Sequence, residues 1–376
     1  MSEPAPRAVP FADLARQYAE LAPELERALL NVARGGHYVL GPEVAALERE
    51  LSEDHGCAGA VGLNSGTDAL VLSLRALGIG PGDEVITTPF SFFATSEAIA
   101  LAGARPVFAD VESDSLNLDP AAAAAAVTER TRAILPVHLF GRPCDMDGIL
   151  DVARRHRLAV IEDCAQAVGA RYRDRPVGGI GDIGCLSFFP TKNLGALGDG
   201  GLVLSRDAVR LERVRALAAH GSRERYLHQE IGANSRLDEL QAAALRVKRA
   251  RLRAWTEARR RNARRYRELL AGVPGLSLPP PDDGRFGSVW HQFTVRARER
   301  DKLRQHLAAQ KIQTMIYYPV PLHLQPAHRD LGYRPGAFPV AERAAAEVLS
   351  LPVHPQLAEA DLEAVAGAIR AWAKSN

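Results

Sequence analysis

The sequence predicts an α/β protein: a mostly parallel sheet covered by helices on both faces, followed by a smaller α+β domain. From about residue 58 to 205, short apolar runs alternate with helical patterns, as expected when crossover helices join parallel strands. After that come a long charged helical stretch and the Pro-rich loop "LSLPPPDDGRFGSVW", which opens a second unit. A chain of 376 residues has room for two or three domains at roughly 100 to 200 residues each. The division is placed at 1–248 and 249–376.

The expected strands, in order, are "GAVGL", "EVITT", "RPVFADV", "RAILPVHL", "LAVIEDC", "GCLSFF" and "GLVLS". Between them lie amphipathic segments such as "DMDGILDVARRHR". The tract "PAAAAAAV" reads as helix, because alanine loses almost no side-chain entropy there. Residues 236 to 270 form one or two long helices in which Leu245, Leu252, Trp255, Tyr266 and Leu270 share an apolar face and arginines crowd the remainder. That basic side is expected to be solvated; a nucleic-acid surface is the alternative.

Composition narrows the function. The hydrophobic fraction is 47%, and Lys plus Arg at 47 against Asp plus Glu at 45 leave a formal charge of +2. That balance suits a globular protein with small ligands and argues against a dedicated polyanion binder. The beginning "MSEPAPRAVPFADLARQ" has no apolar core of the signal-peptide kind, and no run of about 18 apolar residues follows. The chain is therefore expected in the cytoplasm. Cys57, Cys144, Cys164 and Cys185 form no CxxC pair, so neither a metal site nor a disulfide framework is expected.

In open α/β sheets ligands gather beyond the carboxyl ends of the strands, and three stretches there carry chemistry. In "LNSGTDALVLSLRAL" a strand gives way to a helix that Thr67 or Asp68 can cap; such a start offers free N–H groups and a hydroxyl to a phosphate, or is simply a cap. In "AVIEDCAQAVGA" a strand delivers Asp163 to its end. In "SFFPTKNLGALGDGG" Lys192 follows another strand, with its glycines after it. A nucleotide P-loop needs them before the lysine, so that reading fails. A lysine for a Schiff base, an acid for a pyridinium nitrogen and a phosphate cradle together make the set that pyridoxal phosphate requires. "PFSFFATSEAIA" adds Phe90, Phe92 and Phe93 as candidates to stack on its ring.

On these motifs, with "GGHYVLGPEVAALERELSEDHG", "VHLFGRPCDMDGI", "GANSRLDELQAA" and "YYPVPLHLQPAHRDLGY", the sequence resembles the DegT/StrS family of pyridoxal-phosphate sugar aminotransferases over nearly its whole length. The resemblance implies the fold-type I architecture and action on nucleotide-linked keto sugars. By this similarity Lys192 is the Schiff-base lysine, Asp163 the acid on the ring nitrogen, and Gln166 the contact to the ring hydroxyl. Phe92 stacks on the ring, with Phe93 one residue away as the other choice. Gly66, Thr67 and Ser187 form the phosphate cradle. Asn234 reaches the phosphate from a neighbouring subunit, implying a homodimer with shared active sites. Tyr318 and His323 lie in the segment that approaches the sugar nucleotide.

The resemblance further implies L-glutamate as donor and a nucleoside-diphosphate keto sugar as acceptor. Lys192 argues against the dehydratase branch, in which histidine replaces it. Cys164 and "GANSR" depart from frequent family versions, while Gln166 and "CLSFFPTKNLG" are more similar to members acting at C3 of the hexose than at C4. A 4-keto sugar or keto-cyclitol is the alternative acceptor. A regulatory or nucleic-acid-binding protein using the arginine-rich helix is the alternative of another class.

Overall fold

The structure, a computed structural model, describes residues 8–224 and 226–375. Its central sheet has seven strands: β1 (Gly59–Leu63), β2 (Glu84–Thr87), β3 (Arg105–Phe108), β4 (Thr131–Leu135), β5 (Ala159–Asp163), β6 (Ile183–Ser187) and β7 (Gly201–Ser205). Their spatial order is β1-β7-β6-β5-β4-β2-β3. The pairs β2/β3, β2/β4, β4/β5 and β5/β6 are parallel. Only β7 is reversed, antiparallel to both β6 and β1. It follows β6 through the Lys192 loop, which has no crossover helix to return the chain for a parallel pairing.

Alternation along the strands builds two cores. Val61, Val85, Leu135, Ile161 and Val203 face one core, filled by Leu70, Leu74, Ile99, Val214 and Leu217 from helices on that side. Ala60, Ile86, Ile134, Val160 and Leu202 face the other, filled by Leu47, Leu51, Ile149, Val152 and Leu245. The predicted sheet with helices on both faces is therefore present, built as near-continuous apolar strands that are buried throughout β2, β6 and β7.

The smaller unit pairs β8 (Leu276–Ser277), β9 (Phe293–Ala297) and β10 (Val348–Leu351) antiparallel. Its core packs Phe293, Val295 and Leu351 against Leu303, Leu307, Val365 and Ile369. A single helix, Glu239–Leu269, connects the cores. Leu245 enters the sheet core, Trp255 packs on Leu21 and Leu25, and Tyr266 enters the core of the smaller unit. Its arginines meet acidic helices: Arg246 bonds Glu43 at 2.6 Å and Glu50 at 2.7 Å, Arg249 bonds Asp54 at 2.7 Å, and Arg251 bonds Glu24 at 2.8 Å. No described helix is long and apolar enough to cross a membrane.

Candidate active site

Strands β1, β2, β4, β5 and β6 all point the same way, so their carboxyl ends share one edge. Register sets the level: Leu63 and Ser187 both pair with Gly201, and Asp163 pairs with Cys185. The segments carrying Gly66, Phe92, Asp163 and Lys192 therefore leave the sheet side by side.

After β1 the helix Gly66–Ala76 begins. Its cap is Ser65, whose hydroxyl accepts the Asp68 N–H at 3.0 Å; this corrects the expected Thr67 or Asp68 and leaves Thr67 in the open first turn. Gly66 lies against Ser187, where a Cβ would sit 2.7 Å from the Ser187 Cβ and 3.1 Å from its hydroxyl. Only glycine lets the helix start approach that hydroxyl, and the result is an anion cradle of N–H groups and a side-chain donor. Gly201 makes a second close approach, with the Ser65 carbonyl 2.1 Å from any Cβ it might carry.

Asp163 ends β5 in a buried position. Its Oδ1 accepts the Ala165 N–H at 3.1 Å and its Oδ2 accepts the Thr95 hydroxyl at 2.9 Å. Burial raises its pKa above the usual carboxylate value, against the pull of those donors and of the Lys192 charge. Its neighbour Glu162 faces the other way. Burial works to raise Glu162 too, but His138 Nε2 at 3.0 Å and the N–H groups of Gly178, Ile180 and Gly181 outweigh it and hold the carboxylate low. His138 Nδ1 meanwhile accepts the Cys144 N–H at 3.0 Å. His138, Glu162 and Cys164 lie together, but the donor atoms of the first two are already engaged.

Lys192 is half-buried on a turn closed by its own N–H to the Phe189 carbonyl at 2.8 Å. Desolvation brings its amine down to about 8, with the Asp163 charge acting in the opposite direction. The turn is braced from outside by Lys248, whose Nζ donates to the Gly195 carbonyl at 2.7 Å. Asn193, next to Lys192 on the turn, ties it to the segment that leads into the smaller unit, donating to the Val289 carbonyl at 3.1 Å and accepting from His291 Nδ1 at 3.0 Å.

Gln166 is buried, accepting the Phe140 N–H at 2.6 Å and donating to the Tyr318 hydroxyl at 3.0 Å. Tyr318 also lies 6.2 Å, centroid to centroid, from Phe92. Phe92 is 59% exposed, whereas Phe90 is buried and Phe93 packs on His328 at 5.1 Å. Of the three phenylalanines, Phe92 alone offers an open face beside Tyr318.

Two expected residues stand apart from this cluster. His323 is buried against Phe338 at 4.7 Å and donates from Nε2 to Glu342 at 3.1 Å; its segment reaches the sheet edge through the Leu322 N–H on the Pro89 carbonyl at 2.7 Å. Asn234 is exposed, and among the described residues its side chain makes no hydrogen bond, although Ser235 beside it bonds Asn64 at 3.0 Å. Sequence reading missed Thr95, Asn193 and His291. The first two lie inside stretches noticed for their aromatics and lysine, but nothing local joins Thr95 to a carboxylate 68 positions away.

A model of the DegT/DnrJ/EryC1/StrS aminotransferase family matches residues 20–370. The chain belongs to this family. It is 50% identical over 353 residues to the pleiotropic regulatory protein of Geobacillus stearothermophilus, covering 93% of this chain and 95% of that one. Over 368 residues it is 47% identical to the dTDP-3-amino-3,4,6-trideoxy-alpha-D-glucose transaminase of Streptomyces venezuelae, covering 97% and 96%. The crystal structure of S. venezuelae DesV in complex with a ketimine intermediate superposes with a TM-score of 0.96 at 46% identity, over 98% of this chain and 99% of that one.

DegT/DnrJ/EryC1/StrS aminotransferases use pyridoxal phosphate, and the residues here fit it. Asp163 is a buried carboxylate with no cation in ion-pair contact among the described residues, which suits a pyridinium nitrogen. The Gly66–Ser187 approach is a cradle that a Cβ would fill, and Lys192 is an amine that desolvation brings down to about 8.

Proposed function

We propose that this transaminase moves the amino group of L-glutamate onto a nucleotide-linked keto sugar, with the ketone at C3 of a hexose, as a cytoplasmic homodimer with shared active sites. One observation carries the reading: Lys192 and Asp163 leave adjacent parallel strands at one edge, each charge favouring the other's ionised form. The similarity to a transaminase named for a 3-amino sugar supports the C3 position.

Bound pyridoxal phosphate supplies the exchangeable carbonyl and the electron sink. Lys192, with its amine near 8, adds to a carbonyl as the neutral base and, once released, takes and returns a proton at Nζ. Asp163 supplies the fixed negative charge that keeps a ring nitrogen protonated. Gly66, Thr67 and Ser187 hold the phosphate, Gln166 reaches a ring hydroxyl, and the open face of Phe92 covers the ring. Tyr318, tied to Gln166, borders the sugar, while His323 contributes through the segment it anchors.

Apolar exposure on both flanks of the Lys192 turn, at Phe189 (50%) and Leu197 (45%), supports a second copy packing there and bringing Asn234. Incubation with L-glutamate and a panel of dTDP- and UDP-linked 3-keto sugars, 4-keto sugars and keto-cyclitols tests the proposal. Amino-sugar product with equimolar 2-oxoglutarate is expected from the 3-keto compounds. Turnover of the 4-keto or cyclitol compounds alone would overturn the acceptor. The name of the Geobacillus relative motivates a regulatory reading, which predicts duplex binding that weakens steeply with salt; no binding at low salt is expected here.

A further inference from the structure

The surroundings of Asp163 contain a proton-counting constraint. An ionised carboxylate can only accept hydrogen bonds. The Thr95 hydroxyl has a single hydrogen, and at 2.9 Å from Oδ2 it donates that hydrogen to Asp163. The 2.9 Å contact between the Ser91 and Thr95 hydroxyls must then run from Ser91 to Thr95. Ser91, Thr95 and Asp163 thus form a one-way relay, and all three are buried, at 3%, 1% and 5% exposure. The segment that turns Phe92 outward is the one that turns Ser91 and Thr95 inward.

We propose that Thr95, backed by Ser91, is a positioning residue that keeps Asp163 ionised and fixes its carboxylate plane for the cofactor. This rests on Asp163 serving the ring nitrogen. A donor to the charged form stabilises it, and burial makes that need acute. Thr95 stands in the first turn of the helix Ala94–Leu101, where a threonine can satisfy local backbone; its hydroxyl instead crosses to another strand.

Thr95 serves Oδ2, while the Ala165 N–H serves Oδ1 at 3.1 Å and also lowers the Asp163 pKa. Lys192, on the turn after β6, and His138, after β4, lower it as charges and donate to neither oxygen. Cys164, Cys185 and the Tyr318 hydroxyl are pushed upward by burial and remain neutral near pH 7. Glu162 is held ionised by its own donors on the opposite side.

The test is carboxyl-carbon NMR titration of Asp163 in the full-length apoprotein labelled at aspartate. Thr95→Val keeps the shape without the hydroxyl and is expected to raise the Asp163 midpoint by about one to two pH units. Thr95→Ser should restore it, and Ser91→Ala should move it in the same direction by less. In the cofactor-loaded enzyme the acid limb of the cofactor absorbance should rise in parallel. An unchanged midpoint in both Thr95→Val and Ser91→Ala, or equal shifts in Thr95→Val and Thr95→Ser, would overturn the proposal. The apoprotein titration stands whether or not Lys192 carries the cofactor, so the two readings fail separately.

Discussion

Asp163 and Lys192 leave neighbouring parallel strands at the same edge of the sheet, and each opposes the effect of burial on the other. Desolvation raises the acid and lowers the amine, while their mutual attraction restrains both shifts.

The first consequence is a pH dependence. With the amine at about 8 in the folded protein against an ordinary 10.5, the unfolded chain binds more protons between those values. Stability therefore rises with pH across that window. The rate at which apoprotein captures pyridoxal phosphate should rise with a midpoint near 8 in stopped-flow absorbance. Asp163→Asn removes the charge that supports the ammonium, so its midpoint should fall lower. A midpoint near 10.5 in the unsubstituted protein would contradict the desolvation, and an unchanged midpoint in Asp163→Asn would contradict the coupling.

The cradle makes a steric prediction. In Gly66→Ala the new methyl meets Ser187 Cβ at 2.7 Å and its backbone Cα at 3.2 Å, so the helix start must retreat from the hydroxyl. Where binding requires the approach to Ser187 that the methyl blocks, an overpacking cost of about 1 to 3 kcal/mol falls on the bound state, a loss of roughly 5- to 150-fold in cofactor affinity. Fluorescence quenching on cofactor titration measures it.

How much of this was legible in the sequence follows from what is local. Each strand ending at the site was visible as an apolar run closed by a polar turn, and the rule about strand ends sent attention to Asp163 and Lys192. Reversal of β7 was not visible, since an apolar run carries no direction. Ser65 lost to Thr67 and Asp68 as the expected cap because three neighbouring polar residues can all cap, and only backbone angles choose. Similarity favours Phe92 for the stacking position but leaves Phe93 one residue away as the other choice; the helix start separates them, exposing Phe92 and packing Phe93 on His328. Thr95 and His291 gain roles from meetings across the topology that no local pattern encodes.

A structural prediction concerns Glu239, a buried carboxylate in the first turn of the long helix. It accepts the N–H groups of Gly41 at 2.8 Å, Glu43 at 2.8 Å and Val44 at 2.9 Å, capping from afar the helix Pro42–His55, whose own cap residue is glycine. Glu239→Ala should lower stability by about 2 to 3 kcal/mol, seen as a lower urea midpoint at unchanged slope. Glu239→Gln, which keeps one acceptor oxygen, should lose less.

Shared active sites predict complementation. Lys192→Ala and Asn234→Ala proteins should each be inactive or nearly so. Unfolded together and refolded, they should recover roughly a quarter of the activity, because half the dimers then hold one intact site of two. No recovery despite mixed dimers would place Asn234 and Lys192 in the same subunit's site.

The central claim is that Lys192 carries the cofactor. The chain has five lysines, and Lys248 shares a desolvated amine at about 8, though its Nζ is tied to the Gly195 carbonyl. Borohydride reduction of the cofactor-loaded protein, followed by peptide mapping, decides between them. A reduced pyridoxyl adduct on Lys192 is predicted, and incubation with L-glutamate before the borohydride should prevent it from forming. An adduct on Lys248, or none on Lys192, would contradict the account.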